Sequence, residues 1–196
     1  PVSLICIGEG KSALPQVNWK RKFFHLHPAS LRRVVHLSCL LTCCLAAGCS
    51  GTKTWNHEPR PGKTAEIRGQ YAVAPKNLPP RVKAALHAGN LLVGQPYKYG
   101  GGHRGFVDCG YDCSGAVSYV LRWAGLLSQP GTSSSLRSYG SPGRGKYITV
   151  YAGKGHVFIE VAGLRFDTGY HSGNGPRWTT RSRPIRGYVA RHPPGL

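Results

Sequence analysis

Methionine is absent from all 196 residues. An export-type signal, which should stand first, begins only after residue 30. Residues 1–30 therefore read as an over-extended reading frame, with the true start expected near Leu31 or Val34. Acidic residues are scarce: 7 Asp and Glu against 26 Lys and Arg, a formal charge of +19. Residues 1–48 hold six of the basic groups and one acidic group, so 20 against 6 remain beyond them, a charge of +14. Such an excess suits polyanions, whether nucleic acid, phosphate-rich envelope polymers or an anionic membrane surface. No basic stretch has the helical spacing or zinc-ligand pattern of a DNA-reading module, so nucleic acid is not the expected partner. Structural zinc needs four ligands, and Cys109 with Cys113 has no second cluster, so no metal is expected.

Long apolar runs are also missing. Between Leu31 and Cys49 two arginines precede a short apolar stretch and then small residues, the order of a cleaved export signal. The apolar part falls well short of the roughly 20 residues that span a bilayer. Ala46-Ala47-Gly48-Cys49 resembles the lipobox of bacterial lipoproteins, although Leu45 sits one place earlier than usual. Cys49 is thus the expected lipidation site and first mature residue, and plain secretion is the alternative. Of seven cysteines, signal removal leaves Cys49, Cys109 and Cys113, too few for a disulfide framework.

Three regions follow: 1–48, an extension and export signal; 49–79, polar and rich in Pro and Gly, expected to be a flexible tether; and 80–196, one domain. After Pro80, Val82, Ala85, Leu86 and Gly89 recur at helical spacing up to Pro96. A Gly-rich loop, Tyr97 to His103, leads to a second helical pattern in which Cys113 precedes Ala116, Val117, Val120, Leu121 and Ala124, with Gly125 as its stop. Strands are expected at 147–151, 155–161, 164–168 and 185–191, with Ala162-Gly163 as a hairpin turn. Helices first and antiparallel strands after make an α+β domain.

Cys113 is expected at the start of a helix, where the dipole favours the thiolate, the nucleophilic form of cysteine. A free cysteine is commonly an inert core residue. Asp112, Ser114 and Gly115 are poor company for a core position.

Pro96-Tyr97-Lys98-Tyr99-Gly100-Gly101, Asp112-Cys113-Ser114-Gly115, Gly125-Leu126-Leu127 with Gly131-Thr132-Ser133, and Gly155-His156-Val157 follow one another in an order that resembles the NlpC family of cell-wall cysteine peptidases. The resemblance spans residues 80–191. It implies a reduced papain-like fold, with N-terminal helices on a small antiparallel sheet, and hydrolysis of a stem-peptide bond in peptidoglycan, often between D-γ-glutamate and a diamino acid. It makes Cys113 the nucleophile and His156 the general base, and puts Tyr97, Asp112 and Ser114 where relatives hold the substrate's amino end. It implies no cofactor. Cys109, in a partial echo of the motif, reads as a spare thiol.

The third catalytic position departs from the family, which carries His, Asn or Gln where Asp167-Thr168 stands here. With Ala162-Gly163 as the turn, Val161 pairs with Leu164, Ile159 with Phe166 and Phe158 with Asp167. Faces alternate along a strand, so Val157, Ile159, Val161, Leu164 and Phe166 share the core face with Thr168, and His156 and Asp167 share the other. Asp167 then lies diagonal to His156, able to fix its tautomer. A slip of one residue would hand that place to Thr168. His171 and His192 are expected to be exposed, and His103 is a candidate for substrate contact.

The expected protein is an exported, lipid-anchored, monomeric peptidoglycan endopeptidase with a Cys113–His156–Asp167 triad, held near the anionic envelope surface by its charge. The rivals are an amidase or acyl transferase on the same scaffold, and a non-catalytic wall-binding lipoprotein, to which the replacement of the family's Pro-Gly-Asp segment by Ser141-Pro142-Gly143-Arg144 lends weight. Mass spectrometry of membrane-extracted protein is expected to find a diacyl adduct on Cys49. Its absence would remove the lipoprotein reading.

Overall fold

The computed structural model describes residues 53–170 and 175–196. The segment expected to be an export signal, Cys49 and His171 lie outside the described residues.

Helix α1 spans Pro80–Leu92. Proline at its first position supplies a pre-set φ and lacks only an N–H that has no partner there anyway. Val82, Ala85, Leu86, Gly89 and Leu92 form its buried stripe. Helix α2, Cys113–Trp123, is buried along nine successive residues from Cys113 to Leu121. A helix apolar all round belongs inside a domain, and α2 packs on both α1 and the sheet. Gly125, at φ +69°, ends it as expected.

The strands are β1 (Thr54–Trp55), β2 (Glu66–Arg68), β3 (Tyr71–Val73), β4 (Ser141–Pro142), β5 (Ile148–Ala152), β6 (Val157–Val161), β7 (Leu164–Asp167), β8 (Arg177–Thr179), β9 (Arg183–Pro184) and β10 (Val189–His192). Six form one antiparallel sheet in the order β4-β10-β5-β6-β7-β8. The β6–β7 register is the expected one, with Ile159 opposite Phe166 and Val161 opposite Leu164. Ala162 and Gly163 have φ of +47° and +80°, the two left-handed residues that a type I′ hairpin turn requires. The domain is α+β, as expected.

One face of this sheet meets the helices through Val157, Ile159, Val161, Leu164 and Phe166. The opposite face is covered too. Trp55, Tyr151 and Phe158 make a second small core there, joined by Ile185, Tyr188 and Ala190. Glu160 and Arg165 are buried on it and need charged or hydrogen-bonding partners. Trp55 Nε1 donates to Glu160 Oε2 at 2.9 Å, and the Tyr151 hydroxyl reaches the same oxygen at 3.3 Å.

The described part of the expected tether, residues 53–79, is packed on the domain. β1 pairs with β9, aligning Thr54 with Pro184 and Trp55 with Arg183. β2 and β3 form a hairpin, and Ala65 N–H donates to the Ala162 carbonyl at 2.8 Å. Trp55, Ala65, Ala72 and Leu78 are all buried. Trp55 joins the second core and the other three the main one, and no apolar period marks the segment. Asn90 of α1 holds the β3 backbone through both amide groups and accepts a 2.9 Å bond from Trp178 Nε1 of β8.

Two strand boundaries also differ from expectation. β6 starts at Val157, leaving His156 at the end of the turn from Gly153, whose N–H bonds the His156 carbonyl at 2.8 Å. Residues 185–191 hold a turn before β10, closed by Tyr188 N–H on the Ile185 carbonyl. Among the described residues, no helix is long and apolar enough to cross a membrane.

Trp55→Ala is expected to cost about 3–5 kcal/mol in denaturant unfolding, since it empties the second core and strands the Glu160 carboxylate. A loss below about 0.5 kcal/mol would show that residues 53–79 do not stabilise the domain.

Candidate active site

Asp112 starts the site. It has extended backbone, and its Oδ1 accepts the Gly115 N–H at 2.7 Å, capping α2 so that Cys113 becomes the first helical residue. The glycines of the two motifs meet here. A Cβ on Gly115 would stand 1.9 Å from the Gly101 carbonyl oxygen, and one on Gly102, at φ +84°, would stand 2.9 Å from Gly115 Cα. The Tyr-Gly-Gly loop can therefore lie directly on the helix start, which places Tyr97 and His103 beside Cys113. Cys113 is 8% exposed.

The Asp112 carboxylate is fully engaged. Oδ2 accepts Gly100 N–H at 3.1 Å, the Ser114 hydroxyl donates to Oδ1 at 3.0 Å, and His103 Nε2 lies 3.0–3.1 Å from both oxygens and 3.1 Å from Ser114 Oγ. Of the three residues expected at the substrate's amino end, Asp112 and Ser114 are buried in this cluster and Tyr97 is 46% exposed. Burial, with Cys113 and Asp112 adding to it, pushes the Tyr97 phenol above its ordinary value.

His156 comes from the β5–β6 turn and lies near enough to Cys113 for the two side chains to act on each other's charge. Its Nε2 lies 2.8 Å from Asp167 Oδ1, the diagonal pairing expected from the hairpin. The Thr168 hydroxyl is buried without a hydrogen-bond partner.

Sequence reasoning missed what holds Asp167. Its carboxylate is fully buried, and Oδ2 receives Nη1 of both Arg165 and Arg183 while Oδ1 accepts Gly169 N–H at 3.0 Å. Arg165 is itself wholly buried, reaching the Gly169, Tyr170 and Arg181 carbonyls at 3.0–3.3 Å. Arg183 donates to the Tyr188 hydroxyl at 2.7 Å, and its guanidinium lies over the rings of Phe158 and Tyr170 at 5.0 and 4.8 Å. Arg183 Nη1 also comes within 3.0 Å of His156 Nε2. Arg165 was visible in principle, two residues before Asp167 on the same strand face. Arg183 lies on a two-residue strand with no periodic signal.

Burial works to lower the His156 pKa, but the bond to Asp167 and the neighbouring Cys113 outweigh it and hold it up at about 9. For Asp167, burial works upward, and His156, followed by Arg183 and Arg165, keeps the carboxyl below its ordinary range. The arrangement favours the imidazolium form of His156 near the start of α2.

No disulfide joins Cys109 and Cys113. Cys109 Sγ lies 3.8 Å from Lys98 Nζ, which pairs with Asp108 at 2.7 Å. His192 engages the Gly143 carbonyl. Among the described residues, no group of His, Cys, Asp and Glu could hold a metal ion.

A thiol, an imidazole and a buried carboxylate in series define a site equipped for nucleophilic acyl transfer. The chain is 37% identical over 81 residues to a Bacillus subtilis (strain 168) protein named "Probable peptidoglycan endopeptidase LytE". That alignment covers 38% of this chain and 23% of the relative, so the chain spans about a quarter of that protein's length. No family model matches the chain.

The His156 imidazole is expected to titrate near pH 9 by NMR, and lower in Asp167→Asn. The raised value fixes the sign of the stability effect. The contribution is whole below the ordinary histidine value of about 6.5 and is lost as pH rises through about 9. Melting temperature should therefore fall across that window, and less so in Asp167→Asn. Asp167→Ala, which leaves Arg165 and Arg183 buried without their counter-charge, is expected to cost about 3–5 kcal/mol.

Proposed function

We propose that the protein is a cysteine endopeptidase of bacterial peptidoglycan with a Cys113–His156–Asp167 triad. The observation that supports this reading is the position of His156, near the thiol at a helix start and joined through Nε2 to a buried carboxylate at 2.8 Å. The partial likeness to a peptidoglycan endopeptidase supports the substrate class.

Asp167 accepts a hydrogen bond from Nε2–H, which leaves Nδ1 to serve the thiol. Cys113 attacks the peptide carbonyl carbon as a thiolate, and its proton resides on His156. Collapse of the tetrahedral adduct breaks the C–N bond as His156 gives that proton to the departing amine. His156 then takes a proton from water, which attacks the thioester and releases the acid and Cys113. The helix start stabilises the negative sulfur throughout.

The finer reading follows the motifs. The domain has a reduced papain-like fold of the NlpC type, and the bond cut joins D-γ-glutamate to a diamino acid in the stem peptide. The exposed Tyr97 and the half-buried His103 meet the substrate's amino end, and the buried Asp112 and Ser114 hold His103 in place and supply negative charge behind it. The enzyme works as an exported monomer anchored through Cys49, and its positive charge keeps it on anionic envelope polymers.

Incubated with peptidoglycan fragments under reducing conditions, the full chain is expected to release products whose masses name the bond. Cys113→Ser should lower the rate by about a thousandfold or more. Intact fragments after incubation with both proteins would leave a wall-binding module as the better reading.

A further inference from the structure

The 560 Å³ cleft beside His156 is lined by Arg137, Lys154 and Arg186, together with Tyr188 and the backbone of the turns at 153–155 and 187. No acidic side chain lines it. Each of the six acidic residues among the described residues already has a basic partner elsewhere: Glu58 and Glu160 with Arg144, Glu66 with Arg68, Asp108 with Lys98, Asp112 with His103, and Asp167 with His156 and two arginines. Three cations thus line an open cleft, and among the described residues no carboxylate pairs with any of the three.

Arg137 is placed for this by design of the fold. It sits on the short 3₁₀ turn Ser135–Ser138, and its Nη1 donates to the Ala152 and Gly187 carbonyls at 3.3 Å, bridging the end of β5 and the turn before β10. The head group is held at the cleft wall by two backbone contacts. A guanidinium fixed in this way loses little freedom on meeting an anion and can offer its remaining N–H groups as a fork.

The two sides of the site therefore differ in charge. The Cys113 side carries the Asp112 carboxylate with Ser114 and His103, and the His156 side opens onto cations. The thiol keeps the acyl part of a substrate and His156 protonates the part that leaves, so the basic cleft adjoins the leaving group. We propose that this cleft is a subsite for a free carboxylate on the residue released as leaving group, with Arg137, Lys154 and Arg186 as its recognition groups. The inference rests on the peptidase reading for its orientation and selects substrates whose released residue is a free acid over those in which it is amidated or extended.

The test uses two probes, the tripeptide Ala-γ-D-Glu-Lys with a free terminal carboxylate and the same peptide as its carboxamide. Binding to the full-length Cys113→Ser protein is measured by calorimetry, free of turnover. The acid is expected to bind about tenfold more tightly than the amide, and the preference should shrink as ionic strength is raised to about 0.5 M. Lys154→Gln with Arg186→Gln removes two exposed charges, leaves the Arg137 backbone contacts in place, and is expected to reduce the preference to about twofold or less. Lys63→Gln with Arg81→Gln lowers the net charge equally away from the cleft and should keep the preference. Equal binding of acid and amide, or a preference that survives Lys154→Gln with Arg186→Gln, would overturn the proposal. Binding preference without cleavage of either peptide by the parent protein would keep the carboxylate subsite and remove the peptidase reading instead.

Discussion

A single buried carboxylate organises the second face of the sheet. Isolated in an apolar interior, Asp167 would be very costly as an anion. It persists because Arg165 and Arg183 meet one oxygen and His156 the other. The arginines create their own requirement, which aromatic faces and carbonyls satisfy: Trp55 and Phe158 beside Arg165, and Phe158, Tyr170 and Tyr188 around Arg183. The group that orients His156 is therefore also the centre of a core built from β1, β6, β7 and β9. Stability and the acid–base chemistry of the site draw on the same contacts.

The legible part of the fold was the part with a period. The buried stripe of α1, the Cys113 helix and the β6–β7 hairpin each repeat a signal over several residues, and the hairpin register alone brought Asp167 to His156. β1 and β9 have two residues each and find each other across most of the domain. Trp55 meets Glu160 over a separation of 105 residues. Nothing local announces such a pairing, and a Pro- and Gly-rich stretch whose anchors follow no period looks like a linker.

The candidate site shows the same division. Cys113, His156 and Asp167 stood out through motif and alternation. The expected substrate contacts were less transparent, because Asp112 and Ser114 are turned inward to cap the helix and hold His103. Capping chemistry and ligand chemistry use the same residue types, and only burial separates them. The positive charge of the chain was obvious from composition, but its concentration in the cleft depends on which few acids are left to neutralise it, a three-dimensional property.

The packing of β1 against β9 sets the reach of the domain. A free stretch from Lys53 to Pro79 could extend about 90 Å. Held at Thr54 against Pro184, and again by the Ala65–Ala162 bond, that stretch adds none of this length to the domain's range of movement. What reads as a spacer is a strap, so the chain enters the folded body beside β9, at Thr54, and not at Pro80.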